Sequence, residues 1–139
     1  MLKSMQPGKR DVVAAIIERE GQFLFGKRSP HKPGAPGYWC PICGSVEPGE
    51  GQAEAVVREV LEETGLAVRA LAKVAECDTH DGSAVMHWWR AEPLDAAPAR
   101  LANDEHTELR WVSLDELKRL EPVFLEDVAI IERAARRPE

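Results

Sequence analysis

A chain of 139 residues, 44% of them hydrophobic, is long enough for one compact domain with a core and too short for two comfortable ones, so residues 1–139 read as a single domain. Its 18 Lys and Arg against 24 Asp and Glu leave a net charge of -6, which argues against non-specific binding to a nucleic acid polymer or an anionic membrane and suits a small charged ligand that carries its own cation. Three cysteines, an odd number, and no long apolar segment near the start point to a reducing cytoplasm, and the longest strongly apolar run, VVAAII, cannot span a bilayer.

In chain order, DVVAAIIEREGQFLFGKRS reads as two β-rich runs around Glu20-Gly21, a hairpin from about Asp11 to Lys27. The next stretch, SPHKPGAPGYW, is too rich in Pro and Gly for a helix or a central strand. Lys27, Arg28, His31 and Lys32 lie in or beside this loop, where they could reach over a bound anion. From about Gly51 to Thr64 apolar residues recur at helical spacing, and Gly65 follows as a stop. LAVRALAKVAECDT and SAVMHWWRAEPL read as two further strands joined by the turn HDG. After a polar stretch from Asp95 to Asp104, LRWVSL is a short strand and SLDELKRL a helical turn or two. Pro122 stands where a helix can begin, and VFLEDVAIIERAARR continues it with Phe124, Val128 and Ile131 on one face.

The helix between Gly51 and Thr64 carries Glu59, Glu62 and Glu63. At about 100° per residue the last two fall near -60° and +40° from the first, so the three acids share one face. Val57, Val60, Leu61 and Thr64 fall on roughly the opposite side, the side expected to pack on the sheet. Acids at these spacings repel one another, and Arg58 cannot neutralise all of them. A divalent cation can, and carboxylates with no Cys or His among them are hard ligands suited to Mg²⁺ or Mn²⁺, which share their remaining positions with water and substrate phosphates.

Gly44, five residues, Glu50, seven residues and then REVLEETGL from Arg58 to Leu66 match every fixed position of the Nudix box, so the chain resembles the Nudix hydrolases. The length, the strand order, GYW before the box and EHTELRWVSLDEL after it are similar to the family as well. The resemblance implies an α/β fold, the Nudix α/β/α sandwich with a mixed sheet. It also implies hydrolysis of a nucleoside diphosphate linked to another group, by water and with a divalent metal. Glu59, Glu62 and Glu63 occupy the metal-binding positions, with the Gly44 carbonyl as a further ligand. Arg58 resembles the arginine that orients the catalytic glutamate, and Glu50 the outlying acid that supports a metal or its water. Glu59, Glu105 or Glu108 would be the general base. The box reads the pyrophosphate and other loops read the rest, so oxidised nucleoside triphosphates, dinucleoside polyphosphates and nucleotide sugars all fit, and a homodimer is compatible with the family.

Arg28 and Lys32 are candidates for substrate phosphate, and Tyr38, Trp88 and Trp89 for stacking on a base. Trp88 and Trp89 are adjacent in a strand and point to opposite faces, so at most one lines a pocket. Two features depart from the family. Ile42-Cys43-Gly44 stands where many members have Pro-Gly-Gly, and a cysteine before that glycine is similar to isopentenyl diphosphate isomerases of the same fold; the serine that follows and the intact box favour a hydrolase. The pairs Cys40/Cys43 and Cys77/His80 imitate zinc spacing, although buried, unreactive cysteines are the expectation. A non-catalytic nucleotide sensor is the alternative of another class, and it would not need Arg58, Glu59, Glu62 and Glu63 together.

Overall fold

The structure, a computed structural model, describes residues 9–135. Its elements in order are β1 (Arg10–Arg19), β2 (Gln22–Arg28), β3 (Trp39–Ser45), α1 (Gln52–Thr64), β4 (Val68–Asp78), β5 (Ala84–Pro93), β6 (His106–Val112), α2 (Leu114–Leu117) and α3 (Leu125–Ala135). The six strands form one sheet in the order β4-β5-β1-β3-β2-β6. β1 runs parallel to β5 and the other neighbours are antiparallel, so the sheet is mixed.

β1 sits mid-sheet and is covered on both faces, which is why it reads as an unbroken apolar run and not as an alternation. Val13, Ala15 and Ile17 pack with Val56 and Val60 of α1, while Ala14 and Ile16 pack with Leu117, Val128 and Ile131 on the other face. The result is the α/β/α sandwich. The β1–β2 hairpin turns at Glu20 and Gly21, both with positive φ, and the β4–β5 turn is held by Asp81, which accepts from the Ser83 N–H at 3.0 Å and the Thr79 hydroxyl at 2.9 Å. α2 opens on a capping box between Ser113 and Glu116. Among the described residues no helix is long and apolar enough to cross a membrane.

Three local expectations need correction. The Pro- and Gly-rich reading stopped at Trp39 and passed over β3, a central strand. β3 pairs with β2 through Trp39–Pro41 and with β1 from Ile42 to Ser45, and Pro41, which has no N–H to donate, falls where the strand changes partner. α1 is rolled relative to the expected face: Ala55, Val56, Val60, Glu63 and Thr64 are buried, whereas Val57 and Leu61 are 38% and 53% exposed. An acid, Glu63, is drawn inward in place of Leu61, because polar partners described below wait for it. Finally, Pro122 to Phe124 precede α3 instead of opening it. Trp39 donates its N–H to the Pro122 carbonyl at 2.9 Å and bridges Val123, which carries Phe124 off the helical face and onto Tyr38. Arg136 and Arg137 of the expected helix lie outside the described residues.

Candidate active site

The site is built on β3, α1 and the loop between them. Arg58 leaves the second turn of α1 and holds Glu50 with two bonds, Nε to Oε2 at 2.6 Å and Nη2 to Oε1 at 2.9 Å. The same guanidinium donates to the Ser45 carbonyl at 2.9 Å, to Glu59 at 3.0 Å and to Glu62 at 3.3 Å. One planar donor fork thus ties the end of β3, the loop and the helix into a fixed geometry. The Arg58 bonds, with the Glu47 N–H, hold Glu50 down at about 2, so it is an anion throughout the useful pH range.

Gly44 lies on β3 opposite Glu59. A Cβ at this glycine would stand 2.0 Å from the Glu59 carboxyl carbon, so only glycine lets the acid lie against the strand. Glu63 is 2% exposed and meets His106 Nε2 at 2.9 Å from Oε1. Burial, then the Glu59 and Glu105 carboxyls, push Glu63 up to about 10, and burial pushes His106 down to about 4. Burial and the neighbouring carboxyls disfavour the charged form of Glu63, a preference that a bound cation would reverse. Glu59, Glu63 and the neighbouring Gly44 offer oxygen donors alone, a chemistry suited to a hard divalent cation.

A cavity of about 600 Å³ opens beside these acids. Its lining includes Arg28, Gly44, Glu59, Glu63 and Glu105, and also Tyr38, His80, Met86, Phe124 and Asp127. Glu105 is bridged by Arg28 at 3.4 Å and Lys32 at 3.2 Å, which gathers two cations around it. Arg28 is itself fixed by the Gly34 and Pro33 carbonyls, both at 2.8 Å. Tyr38 stacks on Phe124 with centroids 4.4 Å apart.

Not every candidate arrives. Glu108 lies on β6, half exposed and paired with Arg110 at 2.8 Å, and is not a lining residue; of the two, Glu105 reaches the cavity. Glu62 stays at the rim, half exposed and bound to Arg58. Trp88 is fully buried in the core on the α3 side and has no face for a base. Trp89 packs on the α1 side and donates its indole N–H to Gln52 at 3.0 Å, away from the cavity. Two residues were missed: His106, whose only signal was its place next to Glu105, and Asp127, which follows Glu126 in the first turn of α3. Burial, then Glu126, push Asp127 up to about 7.

The cysteines do not gather. Cys40 is buried and Cys43 partly so on β3, both along the cavity wall, whereas Cys77 is exposed on β4, contrary to the expectation that all are buried. Among the described residues no group of three or more His, Cys, Asp or Glu has the geometry of a metal site, the zinc-like set included. Desolvation holds the Cys40 thiol up at about 12 and, with Glu63, raises Cys43 well above the ordinary range, which suits neither for proton transfer as a thiolate.

The same architecture recurs in a MutT protein from Methanosarcina mazei Go1, with a TM-score of 0.79 at 28% identity over 92% of this chain and 94% of that one. It recurs in the E. coli ORF135 protein, with a TM-score of 0.72 at 31% identity over 97% and 98% of the two chains. Among curated proteins, a CTP pyrophosphohydrolase of Escherichia coli (strain K12) is 34% identical over 133 residues, 91% of this chain and 95% of its own. Fold and relatives together make the chain a hydrolase of the pyrophosphohydrolase class. The NUDIX domain model matches residues 8–134, and the chain belongs to the Nudix hydrolase family.

If Glu59 acts at the reacting end and Glu108 does not, their amide variants separate. Glu59→Gln should lower kcat by about 10²-fold or more, and Glu108→Gln should change it less than about threefold. Steady-state rates on one hydrolysed nucleotide, with circular dichroism to confirm folding, measure both.

Proposed function

We propose that the chain hydrolyses a nucleoside triphosphate to the monophosphate and pyrophosphate with Mg²⁺ or Mn²⁺, and that it favours a cytosine base. The observation that carries this reading is the single cavity whose lining includes the box acids Glu59 and Glu63 together with Tyr38, Phe124 and the buried acid Asp127. When bound at Glu59, Glu63 and Gly44, with Glu62 at the rim, the cation supplies charge neutralisation for the phosphates and a more acidic water. Arg58 holds Glu59 in place. Arg28 and Lys32 bind phosphate oxygens, and Glu59 or Glu105 takes the proton from the attacking water. The three free thiols support a reducing, cytoplasmic setting.

The base preference rests in part on edge chemistry. An un-ionised carboxyl offers one O–H donor beside one acceptor, and cytosine presents N3, an acceptor, beside its N4 amino donor. Uracil and guanine present an N–H where cytosine presents N3, whereas adenine, with N1 beside its N6 amino group, presents the same pair as cytosine. The carboxyl therefore selects cytosine and adenine over uracil and guanine, and the choice between those two rests on the relative. Phe124 lies stacked between Tyr38 and His80, so the outer face of Tyr38 is the apolar wall against which a ring can pack. The E. coli relative named for CTP supports cytosine.

A panel of nucleoside triphosphates, assayed by mass spectrometry in ¹⁸O-labelled water, should give labelled product, highest kcat/KM for a cytosine nucleotide, and no turnover in EDTA until Mg²⁺ is restored. Absence of pyrophosphate from every member of the panel would overturn the reading.

The Asp127 role has a pH signature. Its folded value, about 7, lies above the ordinary 3.8, so the donor form is present below about 7 and is lost as the pH rises through it. KM for the cytosine nucleotide should therefore rise above about pH 7. Asp127→Asn, whose amide keeps a donor beside an acceptor, should hold a KM that does not follow pH, and equal pH dependence in both proteins would contradict the assignment.

A further inference from the structure

The irregular pairing between β2 and β6 has a purpose in the site. The register shifts between Lys27 and Arg28, setting Arg28 opposite His106. Such a bulge re-aims a side chain. Here the imidazole lies over Gly26: a Cβ at that glycine would stand 2.5 Å from Nδ1, 2.7 Å from Cγ and 2.8 Å from Cε1 of the ring. Gly26 has no positive φ, so space and not backbone conformation is what requires glycine there. The ring's other nitrogen, Nε2, meets Glu63 Oε1 at 2.9 Å, and both side chains are 2% exposed, so neither can swing into water.

We infer that His106 is a positioning residue for Glu63, holding Oε1 so that Oε2 is presented to the cation, and that Gly26 is the seat that lets the imidazole reach it. The inference rests on Glu63 being a metal-holding acid, as proposed above. A carboxylate can only accept, so with the cation bound the Nε2 position carries the proton and donates it to Glu63. Outer partners of this kind fix the orientation of a metal-holding group, and their loss weakens metal affinity by about 10- to 100-fold.

Mn²⁺ binding without substrate, followed by the electron paramagnetic resonance signal of free Mn²⁺, tests this independently of turnover. His106→Ala should bind Mn²⁺ about 10- to 100-fold more weakly than the unmodified chain, and its kcat should return at saturating Mn²⁺. His106→Gln, whose amide N–H can still donate, should keep most of the affinity. Gly26→Ala should weaken binding like His106→Ala, and the double variant should be no weaker than either single one, because the new methyl displaces nothing once the ring is gone. Unchanged Mn²⁺ affinity in folded His106→Ala or in Gly26→Ala overturns the inference, as does equal loss in His106→Gln and His106→Ala. Glu63→Gln separates the underlying reading: if it binds Mn²⁺ as tightly as the unmodified chain, Glu63 holds no metal and both fail.

Discussion

Carboxyl groups crowded into a protein wall must either meet positive charge or be kept neutral, and this constraint organises the molecule. Glu50, Glu59, Glu62 and Glu63 are brought together by one strand, one loop and one helix, and Glu105 approaches from the strand-6 side. Arg58 answers the outer acids with a fork whose donors reach Glu50, Glu59, Glu62 and the Ser45 carbonyl. Arg28 and Lys32 answer Glu105. The innermost acid, Glu63, has a neutral imidazole on one side and Glu59 on the other, and its charged form is the one that burial most disfavours. A solvated helix surface would have no reason to bury its most acidic turn.

The rest of the fold serves this cluster by close approach. Helix α1 rolls until Glu63 and not Leu61 faces the sheet, and the space comes from glycine at two strand positions, Gly44 beneath Glu59 and Gly26 beneath His106. The segment before α3 bridges Trp39, the first residue of the same strand that ends near Gly44 and Ser45. That bridge sets Phe124 against Tyr38 and starts α3 so that Asp127 lines the cavity. One strand therefore links Gly44 and Ser45 at its end to the segment that places Phe124 and Asp127 along the cavity.

Much of this was legible in the chain. The hairpin around Glu20-Gly21, the helix ending at Gly65 and the paired strands around Asp81-Gly82 follow from local turn chemistry and periodicity, and the acids of α1 follow from spacing alone. What was not legible depended on tertiary pairing. β3 contains Pro41 and Gly44, residues that argue against a central strand unless the change of partner at Pro41 and the nearness of Glu59 are known. The roll of α1 by part of a turn could not be read because Val57 and Leu61 suit an apolar face as well as Val56 does; the contact between Glu63 and His106, 43 positions apart, decides it. Trp88 and Trp89 were correctly set on opposite faces, yet both faces proved to be core or helix-covered, and the cavity is lined instead by Tyr38, Phe124 and Asp127. Asp127 has no signal in the chain that sets it apart from Glu126 beside it, and only its burial distinguishes it.

The central claim is that the approach of α1 to β3, permitted by glycine, places Glu59 for metal and chemistry. Gly44→Ala tests it most directly, since the added methyl would occupy the position of the Glu59 carboxyl and displace it without removing any charged group. Measured as kcat/KM at saturating Mg²⁺ on the best nucleotide substrate, with thermal unfolding alongside, the variant should remain folded and lose about 10²-fold, the scale expected for misplacing a reacting group by roughly 1 Å. A folded Gly44→Ala protein with unaltered kcat/KM would contradict the account.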